Sequence, residues 1–349
     1  MLIQAYSTLL QSCPLDLTMV DERAVGEDAG DIELAAHLDA LRRHARHQAP
    51  PNPVAAAALQ RHLRDIQRFY AFRLDNITDH DRLAALTDWA GQANAVLVAD
   101  GALLDGQGRP LLPGPHGEPT GQVPFTAETR ERATAVRKWL ADAWQVKVPE
   151  AVPPARADAE LTARSAEQTG LRVLSLVLVS DFAASLIAGR PIEAAAMQRV
   201  CPRGFENLTP DERALFDGHG QTDAQRLRQR IEAAQELLWA LSRIEISWPN
   251  HPCPVDEVKR IVLAGGEEAF MAGLALRPPS ELADEHECLS SLVWAIDDAA
   301  QQGAQLTQLD AQITIQRLAA MNWLRDDRVG WDDALRYDRM VAGHDKLNR

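Results

Sequence analysis

SAEQTGLRVLSLVLVSDFAASLIAGRP, Ser165 to Pro191, is the stretch whose reading decides the fold. Ser165 followed three residues later by Gln168 is a capping-box pattern, and Gly189 with Pro191 supplies a stop, so the spacing predicts one helix between them. The run is long and apolar, yet it carries Arg172 and Asp181 inside it. Two charges are costly in lipid and ordinary in a core helix that pairs them, so the stretch reads as a buried helix and not as a membrane span.

Downstream the helical pattern continues. "TPDE", Thr209 to Glu212, repeats the capping device with proline at the first helical position. Leu227, Ile231, Ala234, Leu238 and Leu241 advance by alternating steps of four and three, which lays one stripe against a core. Two further helices follow, about Ser280 to Gln301, capped by Ser280 after two prolines, and Gln312 to Leu324.

Upstream the pattern changes. Proline and glycine cluster in "RPLLPGPHGEPTGQVP", Arg109 to Pro124, which marks the domain boundary. Before it, "LIQAYSTLL" and "ANAVLVADGALLDGQGRPLL" read as strands, the second turning at Asp100-Gly101. Between them lie two helical patterns, "DIELAAHLDALRRHARH" and "HDRLAALTDWAGQ", separated by the breaker "APPNP". The expected class is therefore α+β. Residues 1–124 form a small α+β domain, and residues 125–349 form a mostly α-helical one.

Lys and Arg total 36 against 50 Asp and Glu, a formal charge of −14, so the mean field repels nucleic acid and anionic membrane surfaces. The densest basic stretch, "RLRQRIEAAQ" from Arg226, reads as a solvated helix face. Cys13, Cys201, Cys253 and Cys288 are far apart with no Cys-x-x-Cys pair, and they read as free cytoplasmic thiols. No Lys or Arg precedes Cys13, so "MLIQAYSTLLQSC" does not read as an export signal. Gly265-Gly266 lacks a following Lys-Ser or Lys-Thr, and there is no Gly-x-Ser-x-Gly elbow. His44 and His47 stand at ligand spacing with no third ligand nearby and read as surface residues. No cofactor is expected.

The polar residues with chemistry to offer cluster toward the C-terminal end. Glu281, Asp284, Glu285 and His286 share the first turns of one expected helix. Early acids complement the helix dipole, and the same spacing would suit a divalent metal. Arg317, in "ITIQRLAAMNWL", is surrounded by apolar residues and must find a carboxylate if buried; the expectation is that it faces the Ser280 helix. Trp239, Trp294, Trp323 and Trp331 read as core rings, with Trp323 and Trp331 closing over Arg317. Asp332 reads as a cap or as an acceptor for a ring N–H.

"LTARSAEQTGLRVLSLVLV", "LTPDERALF", "EAAQELLWALSRI", "CPVDEV", "LRPPSELADE", "VWAIDDA", "RLAAMNWL" and "GWDD", taken in order over about residues 130 to 340, resemble the bacterial domain of unknown function 4272 family. The resemblance implies a mostly helical domain and no particular activity. The chain departs from the family pattern at Ser290, Ser291 and Val293, where Tyr-Arg and then His are expected. It departs again at Gln316, in place of a charged residue, and after "WDD", where the chain continues "ALRYD". What survives is Glu281, Asp284, Trp294, Arg317, Asn322, Trp323, Trp331 and Asp332, a set of rings and pairable charges. The expected function is a cytoplasmic, non-enzymatic module binding another protein or a small ligand. The competing class is a metal-assisted hydrolase using Glu281, Asp284 and Glu285.

Overall fold

A computed structural model describes residues 1–14, 19–25, 32–73, 80–114, 117–218 and 223–334. Among these, a small antiparallel sheet in the N-terminal part is followed by a mostly helical remainder. The chain divides into two compact units. Among the described residues, one comprises Met1–Thr134 with Glu150–Leu161, and the other comprises Ala135–Pro149 with residues 162–334.

In the first unit the order is β1 (Leu2–Ser7), β2 (Met19–Ala24), α1 (Ile32–His47), α2 (Pro53–Arg64), β3 (Arg68–Arg73), α3 (His80–Gln92), β4 (Ala95–Ala99) and β5 (Ala102–Leu104). The sheet order is β2-β3-β1-β4-β5, with every neighbour antiparallel. The β4–β5 turn falls at Asp100-Gly101, as the dipeptide predicts: both residues hold positive φ, 48° and 79°, which the twist of a two-residue hairpin requires. Both sheet faces are covered. Ile3, Tyr70, Phe72 and Leu97 pack with Leu86 and Trp89 of α3. Tyr6, Phe69, Ala71 and Val96 pack with Leu34 and Leu38 of α1 and with Leu59 and Leu63 of α2.

Two strands are not announced by the sequence pattern, for opposite reasons. In β3, "RFYAFR", Phe69 and Ala71 serve one core while Tyr70 and Phe72 serve the other, so no polar–apolar alternation exists. β2 is the charged edge, with Asp21, Glu22 and Arg23 outward, and lacks the apolar face that marks a strand. The "APPNP" breaker, read as a separator, is the start of α2: Asn52 Oδ1 accepts from Val54 N and Ala55 N, and Pro53 opens the helix. Just after β5, Asp105 accepts from the backbone N–H groups of Gln107, Arg109 and Gln122 and so ties Gln122 to the end of the sheet.

The chain enters the second unit within α4 (Ala127–Trp144). There follow α5 (Ala166–Ile187), α6 (Ala194–Val200), α7 (Pro202–Glu206), α8 (Pro210–Phe216), α9 (Ala224–Arg228) and α10 (Arg230–Ala240). The order then runs α11 (Val255–Leu263), α12 (Gly266–Met271), α13 (Pro279–Gln301), α14 (Ala311–Arg325) and α15 (Trp331–Ala334). The expected capping boxes form at Ser165–Gln168 and Thr209–Glu212, and the stripe from Leu227 to Leu241 is buried throughout. Ser280 is not a cap. α13 opens one residue earlier with Pro278 in the cap position and Pro279 behind it, two rings that pre-set φ without a side-chain cap. α5 is the one helix among the described residues long and apolar enough to cross a membrane, and most of it is buried within the protein.

α10 packs between α5 and α14, and α14 packs in turn on α13. Every residue of α10 is buried, its polar ones included, which gives this unit a partly ionic interior. Arg230 belongs to that interior at 1% exposure, so the basic stretch from Arg226 is not wholly the solvated face that it was expected to be. The turn after α14 hangs on Arg164, whose guanidinium donates to the carbonyls of Trp323, Asp326, Asp327 and Val329 and lies 4.3 Å over the Trp323 ring.

Candidate functional site

α5 and the N-terminal ends of α10, α11 and α14 leave a cleft of about 470 Å³ between them, within the size range of small-molecule sites. Local sequence sets its walls. Gln229 ends α9 and starts α10, and Ser180 Oγ of α5 donates to the Arg228 carbonyl just before that break, at 2.6 Å. On another side Asp310 caps α14, accepting from Gln312 N and Ile313 N. Lys259 Nζ of α11 reaches Asp181 Oδ1 of α5 at 2.6 Å, both side chains partly exposed. Val177, Ile231, Pro252, Val255 and Ile313 make most of the remaining lining apolar.

Glu232 is the buried charged side chain of the lining, at 6% exposure. Its Oε1 accepts from Cys253 N at 2.7 Å, while its Oε2 has no hydrogen-bond donor and lies 3.6 Å from Arg317 Nη2. Burial raises the Glu232 carboxyl above its ordinary value, with the Cys253 amide and Arg317 opposing the rise.

Behind the cleft, Arg317 serves several carboxyls. Its Nη1 donates to the Ser247 carbonyl at 2.6 Å and its Nη2 to Gln235 Oε1 at 3.2 Å. Glu236, fully buried with neither oxygen hydrogen-bonded, is raised well above the ordinary glutamate value by burial first and by Glu285 second. Glu285 is itself pushed up by burial to about 7, with Arg317 pulling the other way. One guanidinium thus faces three acids, and burial raises all three above the ordinary glutamate value.

The residues singled out in the sequence are not gathered into one place. Glu281 is exposed and pairs with Arg277 at 3.1 Å, and Asp284 is also exposed. Trp294 is half-buried. Arg317 does lie in the core, where its ion pair is with Glu232 on α10, and Glu285 of α13 also feels its charge. Trp323 and Trp331 meet edge to face, their centroids 5.6 Å apart, and they cover other arginines than expected: Trp323 lies under Arg164, and Trp331 under Arg172 and Arg230. Arg172 in turn bonds to buried Glu212. Asn322 Oδ1 accepts from His286 Nε2 at 2.7 Å, because Arg325 Nη1 donates to His286 Nδ1 at 2.6 Å and fixes that tautomer. Asp332 accepts from Thr209 Oγ1 at 3.2 Å, joining the first turn of α15 to that of α8. Among the described residues no group of three or more His, Cys, Asp or Glu side chains is placed to hold a metal ion.

Glu232, Lys259 and Asp310 were not singled out by sequence reasoning. Glu232, Gln235 and Glu236 stand at i, i+3 and i+4, a polar row that ordinarily marks the wet face of a helix. The signal that points inward is Arg317, whose apolar surroundings demand a buried acid somewhere in the chain.

Residues 132–334, more than half of the 349, match the family described as "Domain of unknown function (DUF4272)". The chain belongs to that family, and the cleft with all the acids behind it lies inside the matched span. No curated protein and no solved structure matches it.

Proposed function

We propose that this chain is a cytoplasmic, non-enzymatic binding module whose helical unit takes a small ligand into the cleft bounded by α5, α10, α11 and α14. The observation that carries the reading is the cleft itself: about 470 Å³, mostly apolar, with one buried carboxylate in its lining. Apolar walls with few well-placed polar groups are the usual make-up of a small-molecule site. The polar groups nearby are engaged in caps and ion pairs, which favours binding over turnover.

The test is titration calorimetry with 2-phenylethanol as a neutral apolar probe, on the wild type and on Ala184→Trp, which fills the cleft from α5. Saturable binding abolished by the tryptophan, with the circular dichroism spectrum unchanged, supports the reading. Equal heats from the two proteins, or no binding by either, overturn it.

A further inference from the structure

We infer that Arg172, Arg230 and Trp331 form a binding site for a small inorganic anion, of the size of chloride, inside the helical unit and apart from the cleft.

Arg230 opens α10 and is 1% exposed, yet its Nε and Nη1 have no hydrogen-bond partner, and among the described residues no acid closes an ion pair on it. A buried guanidinium so placed keeps the full penalty of leaving water, which an acceptor carrying negative charge relieves. It is not alone. Arg172 Nε and Trp331 Nε1 are buried without an acceptor as well. The two guanidinium carbons lie 4.6 and 5.5 Å from the centroid of the Trp331 ring, so the unmet donors of three side chains, from α5, α10 and α15, gather at one ring.

The charges nearby leave one cation over. Burial would raise the Glu212 carboxyl, but Arg172, bonded to it, holds it below the ordinary glutamate value, so that pair is ionised and neutral as a whole. Arg230 is the surplus. Asp332, the next acid, is partly exposed and accepts from Thr209 Oγ1 at 3.2 Å, and exposed Arg226 pairs with Asp223 at 3.5 Å. A water molecule would bring two hydrogens to a place where the unmet groups are donors, and it would leave the charge uncancelled. A halide accepts from every side and cancels it. Burial of all three side chains, with the Trp323 ring set against Trp331 at 5.6 Å between centroids, limits the occupant to a small ion.

The experiment melts the full chain at constant ionic strength while chloride replaces gluconate, an anion too bulky for such a site, and collects anomalous diffraction from crystals soaked in bromide. The melting temperature of the wild type is expected to rise and saturate with chloride, by on the order of 5 °C at a hundredfold excess over Kd. Arg230→Met, which keeps the volume and removes the charge, is expected to melt at one temperature in both salts. Asp332→Asn, which removes a nearby negative charge, is expected to respond at lower chloride. A bromide peak is expected in contact with Arg230 and Trp331 Nε1. An equal chloride response in wild type and Arg230→Met, or none in either, overturns the inference. So does a bromide peak without any chloride response, which marks an adventitious ion only, and so does a water in place of bromide. If Arg230→Met does not fold, the bromide map of the wild type decides, and the lack of a peak at Arg230 overturns the inference.

Discussion

Arg317 Nη2 lies 3.6 Å from Glu232 Oε2, so this buried guanidinium pairs across the α14–α10 interface and ties the cleft to the acids behind it. Removing one partner of a buried pair leaves an uncompensated charge, which costs about 3–5 kcal/mol. Arg317→Met should lose about that much at neutral pH, and Arg317→Ala more, because it also leaves a cavity. Urea denaturation at about pH 7 and pH 5 checks both parts, since protonating the stranded carboxyls should shrink the deficit at the lower pH. Equal losses for the methionine and alanine variants would show that side-chain volume is not part of the role.

Glu285 gives the second unit a characteristic pH slope. Its folded pKa of about 7 exceeds the ordinary 4.5 because burial disfavours the charged form. Between those values the unfolded chain has released the proton and the folded chain keeps it. Stability therefore falls as pH rises through that window, by on the order of 1 kcal/mol per pH unit, and levels off above it. Glu236, raised in the same direction, extends the effect. Glu285→Gln should flatten the thermal-melt profile across this window, and an unchanged profile would refute the assignment.

His62 acts with the opposite sign in the first unit. Burial lowers it from 6.5 to about 4, while its ring Nε2 donates to the Tyr6 carbonyl at 3.3 Å. The unfolded chain binds the proton first, so stability is whole above about pH 6.5 and is lost as pH falls toward 4. In an NMR titration the His62 Cε1–H shift should hold its neutral value down to about pH 5. A midpoint near 6.5 would mean that the ring is wet.

Arg230 and Arg172 share the Trp331 ring, at 5.5 and 4.6 Å, but are not equivalent. Arg172 bonds to Glu212, whereas Nε and Nη1 of Arg230 have no hydrogen-bond partner, and burial lowers its pKa to about 10. Arg230→Met should be neutral or stabilise by on the order of 1 kcal/mol, while Arg172→Met, which strands Glu212, should cost about 3–5. Comparable losses in chemical denaturation would contradict this ordering.

Helix ends and the apolar stripe were legible in the sequence because they depend on neighbours three or four residues away. Ser165, Thr209 and the run from Leu227 to Leu241 all behave as their spacing predicts. β3 was not legible, because burial on both faces erases the period-two signal. Nor was the cleft. Its walls come from residues as distant as Val177 and Ile313, and Glu232 sits in a polar row that a one-dimensional pattern assigns to solvent. Arg317 was legible as buried, and Glu285 of the Ser280 helix does feel its charge, but its ion pair with Glu232 on α10 was not legible, since local sequence states the need for a carboxylate and not which helix supplies it.

The Arg164 guanidinium fastens residue 164, near the start of the helical unit, to carbonyls at 323–329, near its end, and two backbone bonds, Arg164 N to Leu324 O and Asp327 N to Thr162 O, run alongside it. The unit is buckled shut like a belt, at points that lie far apart along the chain. Cutting the chain back past Arg164 from one side, or past Val329 from the other, would undo the buckle and loosen what it encircles, so residues 162–329 work as one closed loop.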